Sequence, residues 1–108
     1  MSNKRSQYKI LRSLEKDPNY TQRQLSNDLD ISLGSVNYCL KGLVEKGFVK
    51  IDNFRKSENK AQYSYLLTPK GVEEKVKLTI EFIKIKTQEY ERLKNEIKNL
   101  KTEARKYE

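Results

Sequence analysis

The chain has 108 residues, 35% hydrophobic and 35% charged, with a net charge of +8, one cysteine and no histidine. That length allows one small domain plus an extension. Lone cysteine usage excludes an intrachain disulfide and most zinc sites, and the missing histidine removes the commonest general base and metal ligand. The scattered glycines make no phosphate loop, and no stretch reads as a membrane span or secretory signal. These features predict a cytosolic protein that is not an enzyme and has no catalytic residues, metal or cofactor.

The first helix is expected from Ser6 to about Asp17, with Ile10, Leu11 and Leu14 at helical spacing and Pro18 as its stop. Lys4, Arg5, Lys9 and Arg12 make this end basic. Residues 1–68 carry 12 Lys and Arg against 7 Asp and Glu, and residues 69–108 carry 11 against 8. A surplus of this kind suits a polyanionic partner, most simply nucleic acid. After the turn DPNY, Thr21 and Gln24 have capping-box spacing and predict a second helix with Leu25 and Leu29 on its apolar face. The connector DIS follows. Ser32 is placed to cap a third helix over 33–46, and Gly47 fits the left-handed position beyond its end.

That third helix is two-sided. Val36, Leu40 and Leu43 share one face, with Cys39 beside them as a small core filler, and Ser35, Asn37, Tyr38 and Lys41 share the other. FVKID (48–52) and QYSYLLT (62–68) then read as strands, with Tyr63, Tyr65 and Leu67 on one face. The polar segment between them holds Arg55, Lys56 and Lys60 and predicts a hairpin with a basic tip. Three short helices followed by such a hairpin make a winged helix-turn-helix domain over 1–68, mainly α with a small β element.

Within such a domain the amino-terminal part of the third helix enters the major groove of double-stranded DNA. Asn37 can bond adenine bidentately, Ser35 can give or accept a bond, and Lys41 reaches guanine or phosphate. Tyr38 suits a phosphate or a thymine methyl. Gly34 permits close backbone approach, and Ser32 suits a phosphate at the helix start. Gln22 and Arg23 are expected on backbone phosphates, as are Arg55, Lys56 and Lys60 of the wing.

TPKG (68–71) starts another helix, with Thr68 as cap and Pro69 at the first helical position. No further proline interrupts residues 69–108, which would extend about 58 Å at ~1.5 Å per residue. A heptad seam places Val76, Ile83, Tyr90, Ile97 and Ala104 at a, and Val72, Thr79, Lys86, Leu93, Leu100 and Tyr107 at d, and is cleanest over 90–107. Leu78, Ile80, Phe82 and Ile85 widen the apolar surface of the first half, which is expected to pack on the domain body as well as on a partner. Glu89 and Glu96 at g face Lys94 and Lys101 at e only if two such helices run parallel, whereas an antiparallel pair sets Glu against Glu. The expectation is a homodimer through a parallel coiled coil.

The segments ISLGSVNYCLKGLVEKGFVKIDNF and YSYLLTPKGVEEK resemble MarR-type winged-helix transcriptional regulators. More narrowly they resemble the subfamily associated with exopolysaccharide gene clusters. The likeness runs from about Tyr8 to Tyr90, although the wing lacks the Asp-x-Arg pattern of many members. It implies a bacterial DNA-binding dimer that regulates transcription, with surface-polysaccharide genes as its targets. The other class compatible with these residues is a winged-helix protein-interaction module that docks a partner through its coiled coil.

Overall fold

The computed structural model describes residues 3–57 and 60–108, and the side chains of these residues outside 52–63. The elements run α1 (Lys4–Lys16), α2 (Gln22–Leu29), α3 (Leu33–Glu45), β1 (Val49–Ser57), β2 (Lys60–Leu67) and α4 (Pro69–Arg105). This is the expected mainly helical winged helix-turn-helix architecture, with a two-stranded sheet and a long carboxy-terminal helix.

α1 starts two residues earlier than its apolar spacing indicates, because the Asn3 side chain accepts a bond from the Ser6 amide at 2.8 Å and caps the helix. α2 has the expected reciprocal cap. The Gln24 amide donates to Thr21 Oγ1 at 3.1 Å, and the Thr21 amide donates to Gln24 Oε1 at 2.9 Å. α2 ends on Asp30 in the left-handed conformation (φ 54°), a residue type that tolerates it. Gly47 takes φ 78° after α3, which turns the chain sharply into β1.

The core is built from one face of each helix. Ile10, Leu11 and Leu14 of α1 meet Leu25 of α2 and Val36, Cys39, Leu40 and Leu43 of α3, closed off by Val49, Tyr65 and Leu78, and all of these are buried. Burying an aliphatic side chain of this size contributes about 1.5–3 kcal/mol. Gln7 and Ser64 are the buried polar residues among those described, and no buried side-chain polar atom there lacks a partner.

The strands differ from their expected extents. β1 and β2 pair antiparallel from Val49↔Leu67 to Ser57↔Lys60, with one extra β1 residue accommodated between Ile51 and Phe54. The polar stretch read as a loop is therefore mostly strand. The backbone ladder runs on through Arg55↔Gln62 and Lys56↔Ala61, and pairing of this kind is made by main-chain groups whatever the side chains.

The start of α4 is fastened to the end of α3. Thr68 Oγ1 accepts from the Gly71 amide at 3.0 Å and donates to the Gly47 carbonyl. The Thr68 amide bonds the Phe48 carbonyl at 3.0 Å. Lys70 Nζ reaches the Lys46 carbonyl at 3.1 Å and stands 5.4 Å from the centre of the Phe48 ring. Lys75 and Glu15 form an ion pair. Gly71 lies against Phe48 so closely that a Cβ there would be 1.9 Å from its carbonyl oxygen. One compact unit spans Met1–Leu78 and a second spans Thr79–Glu108. Thus the first turns of α4, through Gly71 and Leu78, belong to the packed domain.

Of the apolar first half of α4, expected to pack on the domain body, Leu78 does so. Leu78 is buried, but Val72, Val76, Ile80, Ile83 and Ile85 are exposed. A straight helix can turn only one stripe toward a neighbour, and Gly71 and Leu78, seven residues apart, take that stripe.

Replacing Gly71 with Ala is expected to destabilise the protein by about 2–3 kcal/mol, because the clash is with backbone and not with a flexible side chain. Gly42→Ala, within α3 and with open space at its Cβ, should instead stabilise by about 0.5–1 kcal/mol. Thermal denaturation of both variants at one protein concentration checks the opposite signs.

Candidate nucleic-acid interface

α3 displays its polar face because its apolar stripe is anchored. Val36, Cys39, Leu40 and Leu43 are at most 2% exposed, and half a helix turn carries the chain from that stripe to the opposite side. Ser35, Tyr38 and Lys41 are exposed, as is Gly34, whereas Asn37 is half-buried at the margin. Tyr38 has 57% of its surface open.

At the helix start, Ser32 Oγ accepts from the Ser35 amide at 3.1 Å and donates to Ser35 Oγ at 2.8 Å. Its acceptor capacity toward the backbone is thus engaged in capping. The remaining amides of the first turn form the positive end of the helix dipole, where an anion is favoured. Arg23 is exposed in the first turn of α2.

Gln22 behaves differently from its neighbour. Its side-chain amide donates to Asn37 Oδ1 at 3.4 Å and to the Tyr65 hydroxyl at 3.2 Å. Both hydrogens of that nitrogen are therefore directed inward, toward α3 and β2, and not outward as a phosphate contact requires. The signal absent from the sequence is Tyr65. It is legible as a strand residue, but Gln22's meeting with Tyr65, 43 positions away, and with Asn37, 15 positions away, is a tertiary event.

A cleft of about 300 Å³ opens between α3 and the strands. Leu40, Val44, Ile51 and Tyr65 supply its apolar lining, and Gln22, Asn37, Lys41 and Glu45 its polar groups. Two residues expected to read bases thus share a recess with the base of the wing. Arg55, Lys56 and Lys60 lie on β1 and β2, and their side chains fall outside the described residues.

Away from the polar face, Tyr20 has its phenol pKa raised above the ordinary 10.0, chiefly by its hydrogen bond to the Asp28 carboxylate and the charge of that group. This contact ties the turn after α1 to α2. Along α4, Val76, Ile83, Tyr90, Leu93, Ile97 and Leu100 are 45–63% exposed. Glu89 is paired with Lys86 of its own helix at 3.2 Å. No group of His, Cys, Asp and Glu among the described residues could hold a metal ion, and no helix among them is long and apolar enough to cross a membrane.

Fold and site together define a module of the winged helix-turn-helix class, and residues 4–50 match the family model of winged helix-turn-helix DNA-binding domains. Among solved structures, the chain is similar to the PcaV transcriptional regulator from Streptomyces coelicolor, crystallised with its natural ligand (18% identity, TM-score 0.65). That match covers 74% of this chain and 55% of PcaV. It is likewise similar to ZitR from Lactococcus lactis (25% identity, TM-score 0.65, covering 85% and 60%). A third similar structure is a MarR transcriptional regulator from Methanosarcina mazei (26% identity, TM-score 0.58, covering 77% and 60%). The chain therefore spans little more than half the length of these relatives. Direct comparison of sequences with curated proteins finds no match.

The cap at the start of α3 provides a local test. Ser32→Ala should cost about 1 kcal/mol of stability and lower Tm by roughly 4–8 °C, whereas Ser32→Asp should retain the cap. Circular dichroism melts of the two variants separate these outcomes.

Proposed function

We propose that this protein is a DNA-binding transcriptional regulator of the MarR type that acts as a homodimer, with α3 as the recognition helix of each protomer. The observation that carries this reading is the exposed polar face of α3, with Ser35, Tyr38 and Lys41 open to solvent above a fully buried apolar stripe. It belongs to a domain that matches winged helix-turn-helix DNA-binding modules. The net charge of +8 supplies the long-range attraction to a polyanion. In this reading Gly34, Ser35, Asn37, Tyr38 and Lys41 face the major groove. Ser32, Arg23 and the wing residues Arg55, Lys56 and Lys60 contact phosphates. Gln22 contributes from behind α3. Its resemblance to exopolysaccharide-associated regulators directs the proposal to surface-polysaccharide genes.

The second copy is assigned to the α4 seam. Val76, Ile83, Tyr90, Leu93, Ile97 and Leu100 provide the apolar stripe, and Glu89 and Glu96 pair with Lys94 and Lys101 of a parallel neighbour. The intrahelical Lys86–Glu89 pair is exposed, so exchanging it for an interhelical one costs little. A twofold dimer reads two half-sites related by a dyad.

Selection of bound fragments from random duplex DNA is the primary experiment and should return a palindromic site. On that site Lys41→Ala or Asn37→Ala is expected to weaken binding by about 1–3 kcal/mol, while Lys56→Ala weakens all sequences alike and flattens the salt dependence. Absence of any mobility shift on duplex DNA at low salt would overturn the reading in favour of a protein-interaction module.

Charge reversal addresses the dimer. The Glu89→Lys, Glu96→Lys double variant sets Lys against Lys in a parallel pair and should raise the dimer Kd about tenfold or more, measured by sedimentation equilibrium. In an antiparallel pair the same change merely exchanges Glu–Glu for Lys–Lys contacts and leaves the Kd unchanged.

A further inference from the structure

The geometry points to Gln22 and Tyr65 as positioning residues that set the amide orientation of Asn37, and hence its base preference, an inference that rests on the DNA-binding reading above. An asparagine side chain presents an acceptor at one end and donors at the other. To read adenine it must accept from N6 with Oδ1 and donate to N7 with Nδ2. Rotation about the terminal torsion is soft, so an unsupported amide interconverts readily and offers a donor where an acceptor is needed.

In this protein the ambiguity is addressed from behind. Gln22 Nε2 stands 3.4 Å from Asn37 Oδ1 and 3.2 Å from the Tyr65 hydroxyl. Its two hydrogens are thereby divided between the recognition helix and the wing strand. The Asn37 contact is long for a hydrogen bond and adds little stability, but a donor beside Oδ1 selects the rotamer that points oxygen toward it. One lone pair of Oδ1 and both Nδ2 hydrogens then remain for a base. Tyr65 provides the fixed end, because the residue is only 7% exposed and its backbone is paired opposite Ile51 in the sheet. Gln22 is itself held at the first position of α2, directly after the Thr21 cap. The three residues come from three different elements, so the register of the wing against α3 is transmitted to the orientation of one base-reading group.

The test uses the full chain and a duplex carrying the selected site. The base pair facing Asn37 is identified as the one at which Asn37→Ala loses discrimination. Tyr65→Phe keeps the ring and removes the hydroxyl. Gln22→Met keeps the length and removes the donors. Each is expected to lower discrimination at that base pair about five- to tenfold. For Tyr65→Phe, affinity for random duplex, its salt slope and discrimination at the other positions should be unchanged, with Tm within about 5 °C of the parent. Adding Tyr65→Phe to Asn37→Ala should have no further effect on selectivity.

Unchanged discrimination in the Tyr65→Phe and Gln22→Met variants overturns the inference, as does an equal loss at every position, which marks a purely structural role. It falls equally if Asn37→Ala alters selectivity at no position. A parent protein that binds no duplex at low salt instead overturns the DNA-binding reading itself, so the two failures are distinguishable.

Discussion

Burial of the α3 apolar stripe is the constraint on which the remaining structure depends. Val36, Cys39, Leu40 and Leu43 are removed from water against Ile10, Leu11, Leu14 and Leu25. A helix has a single azimuth, so seating this stripe leaves no choice about where Ser35, Tyr38 and Lys41 go. Rotating α3 by one residue would expose several apolar side chains at about 1.5–3 kcal/mol each. The display of the polar face is thus held by a force that has no direct interest in it. The caps refine the arrangement: Ser32 sets the start of the helix, and Gly47 turns the chain off its end into the wing.

The end of α3 is also where the long helix begins. Thr68, Lys70 and Gly71 converge on the backbone of residues 46–48 through bonds that a side chain at position 71 would break. α4 thereby starts from the same short segment that terminates α3 and opens β1. Leu78 adds a buried anchor two turns later.

Much of this was legible in the chain itself. The capping box at Thr21 and Gln24, the cap at Ser32, the left-handed Gly47 and the Thr68–Pro69 start all depend on contacts within a few residues, and each occurs as expected. The apolar faces of α1 and α3 were readable for the same reason, since a period of 3.6 is a local property. Asn3 caps α1 before the periodic residues begin, so spacing gives no sign of it. The strands extend further than their apolar residues indicate, because polar strand residues resemble a loop in composition.

The sequence by itself determined the order of the elements, the face each helix buries and the surplus of positive charge, because these follow from spacing, capping chemistry and composition. Tertiary structure decided which side chains meet. Gln22 reads as a surface amide at a helix start, yet it bonds Asn37 and Tyr65. Gly71 reads as a weakness in a first helical turn, yet it is the one residue type that fits against Phe48. Val72 and Leu78 are equally apolar in sequence, and only Leu78 is buried. Such contacts join residues far apart in the chain, and they depend on how whole helices and strands pack, which no local pattern encodes.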